Sequence, residues 1–237
     1  MCEKKIKSPG SAAHMSCLDK QPPPCYNDPE DILTSEDIME DLILYIHGKG
    51  GCADEAEHYA PLFPSSRVLG IDYRSETPWE ALDEFLALFR EAAGECQSVA
   101  VIANSIGAYY TMCSLRDYPI RRAFFISPIV DMKCLIDRMM TWAGVTAQEL
   151  EARREIPTYF GETLSWEYYC WVCDHPVRWD KPTHILYGAA DNLMPRETVT
   201  DFADRIGADL CVMEDGEHWF HTEEQMAFLD GWIRRVR

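Results

Sequence analysis

Six short apolar runs, spaced by helical patterns and glycine-bearing turns, constrain this chain more than any other feature. They occupy residues 42–46, 67–73, 98–103, 123–127, 184–187 and 210–213. Each is rich in Val, Ile, Leu, Phe or Tyr, and near-continuous apolar runs of this length suit strands covered on both faces. Between them lie helical patterns. Residues 79–95 place Leu82, Phe85, Leu86, Phe89 and Ala92 at the spacing of one helix face, and 105–115, 196–206 and 223–236 are further helix candidates. Strands alternating with helices predict an α/β fold built on a mostly parallel, doubly wound sheet. At 237 residues the chain fits one domain with a core of its own.

Two segments depart from the alternation. Residues 1–40 carry Pro22-Pro23-Pro24, scattered charge and weak periodicity, and read as a loosely ordered arm before a domain at 41–237. Residues 128–182 are too long for an ordinary loop. They hold helical patterns at 132–143 and 164–172, so a helical cap is expected at about 131–180, over the C-terminal edge of the sheet, where open α/β sheets bind ligands.

Charge narrows the partners. Forty acidic residues against 22 basic ones give a net charge of −18. A phosphate backbone or an anionic membrane surface is repelled, so neither nucleic acid nor a stable membrane association is expected. No apolar run reaches the roughly 18 to 20 residues of a bilayer span, and residues 1–10 carry no apolar signal core. A cytoplasmic setting is therefore expected, with the ten cysteines as free thiols. Cys170 and Cys173 form a C-x-x-C pair, but a zinc site needs two more placed ligands and only His175 is near.

The chemistry concentrates after four of the apolar runs. In residues 99–110 an apolar strand runs straight into Ser105, where a helix pattern begins, with Ala103 and Gly107 two positions to either side. A nucleophile on a tight strand-to-helix turn needs such small neighbours, because larger side chains collide as the chain doubles back. The turn also aims the Ile106 N–H and the positive end of the helix dipole at a developing oxyanion. After the first run comes His47-Gly48-Lys49-Gly50-Gly51. Here the N–H of Lys49, or of Gly50, is the expected second oxyanion donor. His47 is expected to fix that loop and Asp72 to cap a turn. Asp191 lies in the turn after residues 184–188, and His218 follows the last run after Gly216.

The order Ser105, Asp191, His218 gives each member a place just after a strand on one sheet edge. A serine hydroxyl is a poor nucleophile until a base takes its proton. His218 suits that role, and Asp191 would hold its tautomer and stabilise the imidazolium. Asp131, after the fourth run, is the alternative acid, and His221 is the alternative base. Asp191 is preferred for its Gly-x-x-Asp turn and its distance from the histidine, and His218 because it follows the Gly216 turn directly.

On residues 47–51, 103–107, 188–191 and 216–219 the chain resembles the α/β-hydrolase superfamily from Leu42 onward. Residues 104–107, 187–188 and 216–218 are similar to small bacterial serine hydrolases related to serine aminopeptidases and lysophospholipases. The usual G-x-S-x-G pattern has Ala103 in place of its first glycine here. The resemblance implies an eight-stranded sheet with an antiparallel second strand. Only six runs are evident, so the first two strands would be missing or lie within residues 1–40. It also implies cleavage of a carboxylic ester on a small-molecule acyl substrate, through an acyl-enzyme, without metal or organic cofactor. A thioesterase, amidase or peptidase would use the same triad. A non-catalytic ligand-binding relative would need a damaged triad, and this one is complete in sequence. The cap residues Met139, Met140, Trp142, Phe160, Trp166, Tyr168, Tyr169 and Trp171 divide between packing and an apolar pocket in a way the sequence leaves open. One of Trp166 and Trp171 is expected to face substrate, with packing as the competing reading.

Overall fold

The computed structural model describes residues 41–94, 96 and 98–237, and the arm expected at 1–40 lies outside the described residues. Strand β1 (Asp41–Ile46) leads through two short 3-10 turns to β2 (Ser66–Ile71) and helix α1 (Pro78–Ala93). Then come β3 (Val99–Asn104), α2 (Ile106–Ser114) and β4 (Ile120–Ile126). The segment after β4 holds α3 (Met132–Ala143), α4 (Ala147–Arg153), a hairpin of β5 (Glu155–Pro157) and β6 (Thr163–Ser165), and α5 (Trp166–Asp174). The chain closes with β7 (Thr183–Gly188), α6 (Arg196–Ile206), β8 (Asp209–Met213) and α7 (Glu223–Val236).

The main sheet has six strands in the order β2-β1-β3-β4-β7-β8, every pairing parallel. Strands β1 and β3 are buried on both faces, and successive residues feed two separate cores. Leu42, Leu44, Ile46, Val101 and Ala103 pack with residues of α1, α2 and α6, while Ile43, Tyr45, Ala100 and Ile102 pack with Leu229, Trp232 and Ile233 of α7. This two-sided burial explains the unbroken apolar runs in the sequence.

Helix α1 starts on a capping box, in which Thr77 and Glu80 satisfy each other's backbone N–H, with Pro78 in the first turn. Its buried line is Ala81, Phe85, Phe89 and Ala93, turned slightly from the Leu82-centred face read from the sequence; Leu82 and Leu86 are half-buried flanks. Among the described residues no helix is long and apolar enough to cross a membrane.

The strand order fixes where a ligand fits. From β1 the chain moves outward to β2, then returns to place β3 on the other side of β1. The loops leaving β1 and β3 therefore diverge and open a crevice at the C-terminal edge, the topological switch point. The glycine loop 47–51 and Ser105 sit at those two strand ends.

Candidate active site

Ser105 has φ 50° and ψ −119°, a region that side chains other than glycine rarely occupy. The strain is held by neighbours on both sides. The Ser105 N–H donates to the Ile126 carbonyl at 3.0 Å, and the Ser105 carbonyl accepts from Ile129 at 3.2 Å. Beneath the turn, Gly107 allows close backbone contact: a Cβ there would lie 2.3 Å from the His47 carbonyl oxygen.

The three residues expected to act together are together. The Ser105 hydroxyl donates to His218 Nε2 at 2.7 Å, and His218 Nδ1–H donates to Asp191 Oδ2 at 2.7 Å. One tautomer, with the proton on Nδ1, satisfies both bonds. The other oxygen of Asp191 accepts from the N–H groups of Leu193 at 2.7 Å and Met194 at 3.1 Å, and its side chain is fully buried. The loops bearing Asp191 and His218 are joined by backbone: Ala190 N–H donates to Gly216 carbonyl at 2.8 Å and Ala189 N–H to Met213 at 2.9 Å.

The alternatives occupy other places. Asp131 caps α3, its Oδ1 accepting from Cys134 N–H at 2.9 Å. His221 is exposed and donates from Nδ1 to the Trp219 carbonyl at 2.7 Å. Asp72 accepts from Ala53 N–H at 3.2 Å, which ties two loops.

The glycine loop folds back on itself through Gly51 N–H to Gly48 carbonyl at 3.1 Å, with Gly50 at φ 78°. A Cβ on Gly48 would stand 3.3 Å from that of Ser105, so the loop lies against the serine. His47 is buried, donates from Nδ1 to Gly48 carbonyl at 2.8 Å and stacks on Tyr73 at 4.3 Å. Tyr73 in turn donates its hydroxyl to the His47 carbonyl at 2.9 Å. Ile106, as the first residue of α2, has no intrahelical acceptor for its N–H.

No family model matches the chain, and comparison with curated proteins gives no match. Solved structures do resemble it. Est1E from Butyrivibrio proteoclasticus superposes with a TM-score of 0.65 at 17% identity, over 85% of this chain and 88% of that one. Mouse alpha/beta hydrolase domain-containing protein 10 gives 0.67 at 15% identity, over 82% and 88%. The thioesterase domain of the curacin biosynthetic pathway gives 0.53 at 16% identity, over 82% and 91%. The chain has the α/β-hydrolase fold.

On this α/β-hydrolase fold the segment between β4 and β7 stands beside the crevice and, with the strand-end loops, encloses a cleft of about 1300 Å³ that reaches Ser105. Lys49 of the glycine loop pairs with Glu162 of the β5–β6 turn, linking the two walls. Among the cap aromatics, Trp142, Tyr159, Phe160 and Tyr168 line the cleft. Trp166 and Trp171 do not. Trp166 stacks on Tyr169 at 5.6 Å, and Trp171 stacks on His175 at 4.3 Å. The register of α5 explains this, because Tyr168 and the buried Val172, four residues apart, take the inward face.

A hydrogen-bond network centred on the buried Tyr45 hydroxyl adjoins the serine turn, with no local signal in the sequence. Asn104 donates from Nδ2 to Tyr45 Oη at 2.8 Å, and Tyr45 donates to Glu55. Burial pushes the Tyr45 hydroxyl far above the ordinary tyrosine range, so it remains a donor. Among the described residues, no three His, Cys, Asp or Glu side chains gather into a metal-ligand set, and Cys170 and Cys173 are free thiols on α5.

Proposed function

We propose that the protein is a serine hydrolase that cleaves carboxylic esters of small-molecule acyl substrates. The observation that carries this reading is the unbroken hydrogen-bonded line from the strained Ser105, through His218, to the buried Asp191. The neighbours support it at the level of fold, since they include esterases and a thioesterase domain.

The reaction follows from the geometry. Ser105 Oγ attacks the acyl carbon as His218 Nε2 takes the hydroxyl proton. Asp191 holds the ring and offsets the charge of the imidazolium. The oxygen of the tetrahedral intermediate receives the N–H groups of Ile106 and Lys49, which do not reorganise as charge develops. Collapse breaks the ester C–O bond. The leaving alkoxide takes the proton from Nε2 and departs as the alcohol, which leaves an acyl ester on Ser105. Water then attacks that ester and gives its proton to Nε2. The second intermediate releases the carboxylic acid and returns the proton to Ser105 Oγ. Thioesters fit the same steps, and the neighbouring thioesterase domain makes them the second class to assay.

The test is a fluorophosphonate probe on the whole protein, read by peptide mass mapping, alongside turnover of p-nitrophenyl esters, acyl thioesters and aminoacyl amides. Label on Ser105, with both label and ester turnover lost in Ser105→Ala, is the expected result. Label on another serine, with Ser105→Ala fully active, overturns the assignment.

A further inference from the structure

Helix α3 turns one face to the cleft. Met132, Leu135, Ile136, Met139 and Trp142 all line it, at the three- and four-residue spacings that keep side chains on one side of a helix. This apolar stripe begins beside the nucleophile, because Ile129, just before α3, donates its N–H to the Ser105 carbonyl. From Met132 to Trp142 it rises roughly 15 Å at 1.5 Å per residue. The hairpin adds Leu164 and Phe160, and Phe160 meets Trp142 edge to face at 6.0 Å, while Glu155, Glu162, Thr163 and Ser165 of the hairpin border the cleft as well.

One cation lies along this wall, and it is turned to the edge. Arg138 donates to the Asn192 carbonyl at 3.1 Å and lies over the Trp142 ring at 5.3 Å. The opposite side of Ser105 differs in character. There the segment after β2 brings Tyr73, Ser75, Glu76 and Thr77 to the cleft. Strand order puts these on the β1 side of β3 and α3 on the β4 side. The α3 face is therefore an apolar strip along one side of the cleft, with polar residues on the β2 side and at the hairpin, and the serine lies at its foot.

We propose that the substrate is an ester bearing an unbranched aliphatic chain of medium length, laid along α3 from Ser105 towards Trp142. The proposal rests on the ester-hydrolase reading above. A long, narrow, flexible-walled stripe of Met, Leu and Ile matches a chain whose contacts accumulate with length. An acetyl group leaves most of it wet, and a rigid aryl acid cannot follow it. Each methylene moved from water into such a groove favours binding by about fourfold.

Two matched ester series test this below their micelle concentrations. One lengthens the acyl side, from p-nitrophenyl acetate through butyrate and octanoate to dodecanoate. The other lengthens the alcohol side, from methyl to dodecyl acetate. p-Nitrophenyl benzoate is the rigid control. The expected result is that kcat/KM climbs at least tenfold in one series, which identifies the side of the ester that occupies the groove. Benzoate should stay below octanoate, and Met139→Trp should cut the long-to-short ratio at least fivefold. If both series are flat, if benzoate is preferred to octanoate where the acyl series is the one that climbs, or if folded Met139→Trp keeps the wild-type ratio in the climbing series, the chain proposal is overturned. Continued fluorophosphonate labelling of Ser105 would then leave the hydrolase reading standing. No label and no turnover on any ester would overturn both. Should Met139→Trp not fold, the wild-type protein gives the answer by protection. Dodecanoate slows the labelling of Ser105 where equimolar acetate does not, and equal or absent protection overturns the proposal.

Discussion

The side-chain amide of Asn104, one residue before Ser105, donates to the buried hydroxyl of Tyr45, which donates onward to Glu55. Glu55 also bounds the glycine loop, since a Cβ on Gly51 would fall 2.7 Å from its Oε1. One carboxylate thus braces both the loop proposed to bind the oxyanion and the turn that presents Ser105. Tyr45→Phe leaves the half-buried Asn104 amide without this partner while the exposed Glu55 turns to water, a cost of about 0.5–1.5 kcal/mol for the lost hydrogen bond. It should lower kcat more than it raises KM. Stability measured by denaturant, with steady-state kinetics, checks this; a variant that loses stability but keeps kcat would reduce the network to packing.

The two aspartates separate cleanly. Asp191→Asn should remain folded and lose about 10³–10⁴-fold in kcat, because the amide no longer selects the Nδ1–H tautomer of His218. Asp131→Asn should be almost silent, since asparagine also caps a helix. Circular dichroism and ester turnover on both variants decide the matter, and the reverse pattern moves the acid to Asp131.

Gly188 ends β7 where the backbone of Gly216 crosses it. A Cβ at Gly188 would lie 2.3 Å from the Gly216 carbonyl oxygen, backbone against side chain with nothing flexible to yield. Gly188→Ala should cost about 1–3 kcal/mol. It should also push apart the loops that hold Asp191 and His218. The expected signature is a fall in kcat under conditions where the variant is fully folded, read by kinetics at a temperature well below its Tm.

Most of the architecture was legible because the central strands β1 and β3 are buried on both faces and so are apolar throughout, while the edge strands β2 and β8, only half-buried, still keep a short apolar run. The six runs became β1–β4, β7 and β8, and the patterns at 132–143, 196–206 and 223–236 became α3, α6 and α7. The hairpin was not legible: its arms span three residues each, too few to display a period, and one ends on Pro157. Helix α4 did carry a signal, the Thr146-x-x-Glu149 capping box, in a stretch otherwise too polar to read as helix. The inward face of α5 could not be read because aromatic residues fill both of its faces, and neither Trp166 nor Trp171 lines the cleft. Tyr45, Glu55 and Asn104, or Lys49 and Glu162, meet only through the fold, 113 residues apart in the last case.

Acid should weaken the fold through His184. This side chain stacks on Phe124 at 5.7 Å, and burial holds its pKa below the ordinary 6.5, with the nearby Asp209 opposing and Arg122 assisting. The folded protein then binds fewer protons here than the unfolded chain does. Stability contributed by neutral His184 is present above about pH 6.5 and is lost as pH falls. His184→Phe keeps the stack and removes the titration. Denaturant midpoints taken from neutral pH down to about pH 5 should decline less steeply in the variant; parallel declines would rule His184 out as a contributor.

The wall that α3 provides belongs to one uninterrupted stretch, residues 128–182, which leaves the sheet after β4 and rejoins it at β7. Ser105, Asp191 and His218 lie outside that stretch, on turns that follow strands paired in register. On the proposed reading, reactivity and preference are carried by different parts of the gene. A lineage can replace the stretch at two junctions, provided Ala123 and Thr183 still meet across β4 and β7, and change its diet without re-evolving its chemistry. The same two junctions are where a laboratory graft of a foreign segment would begin.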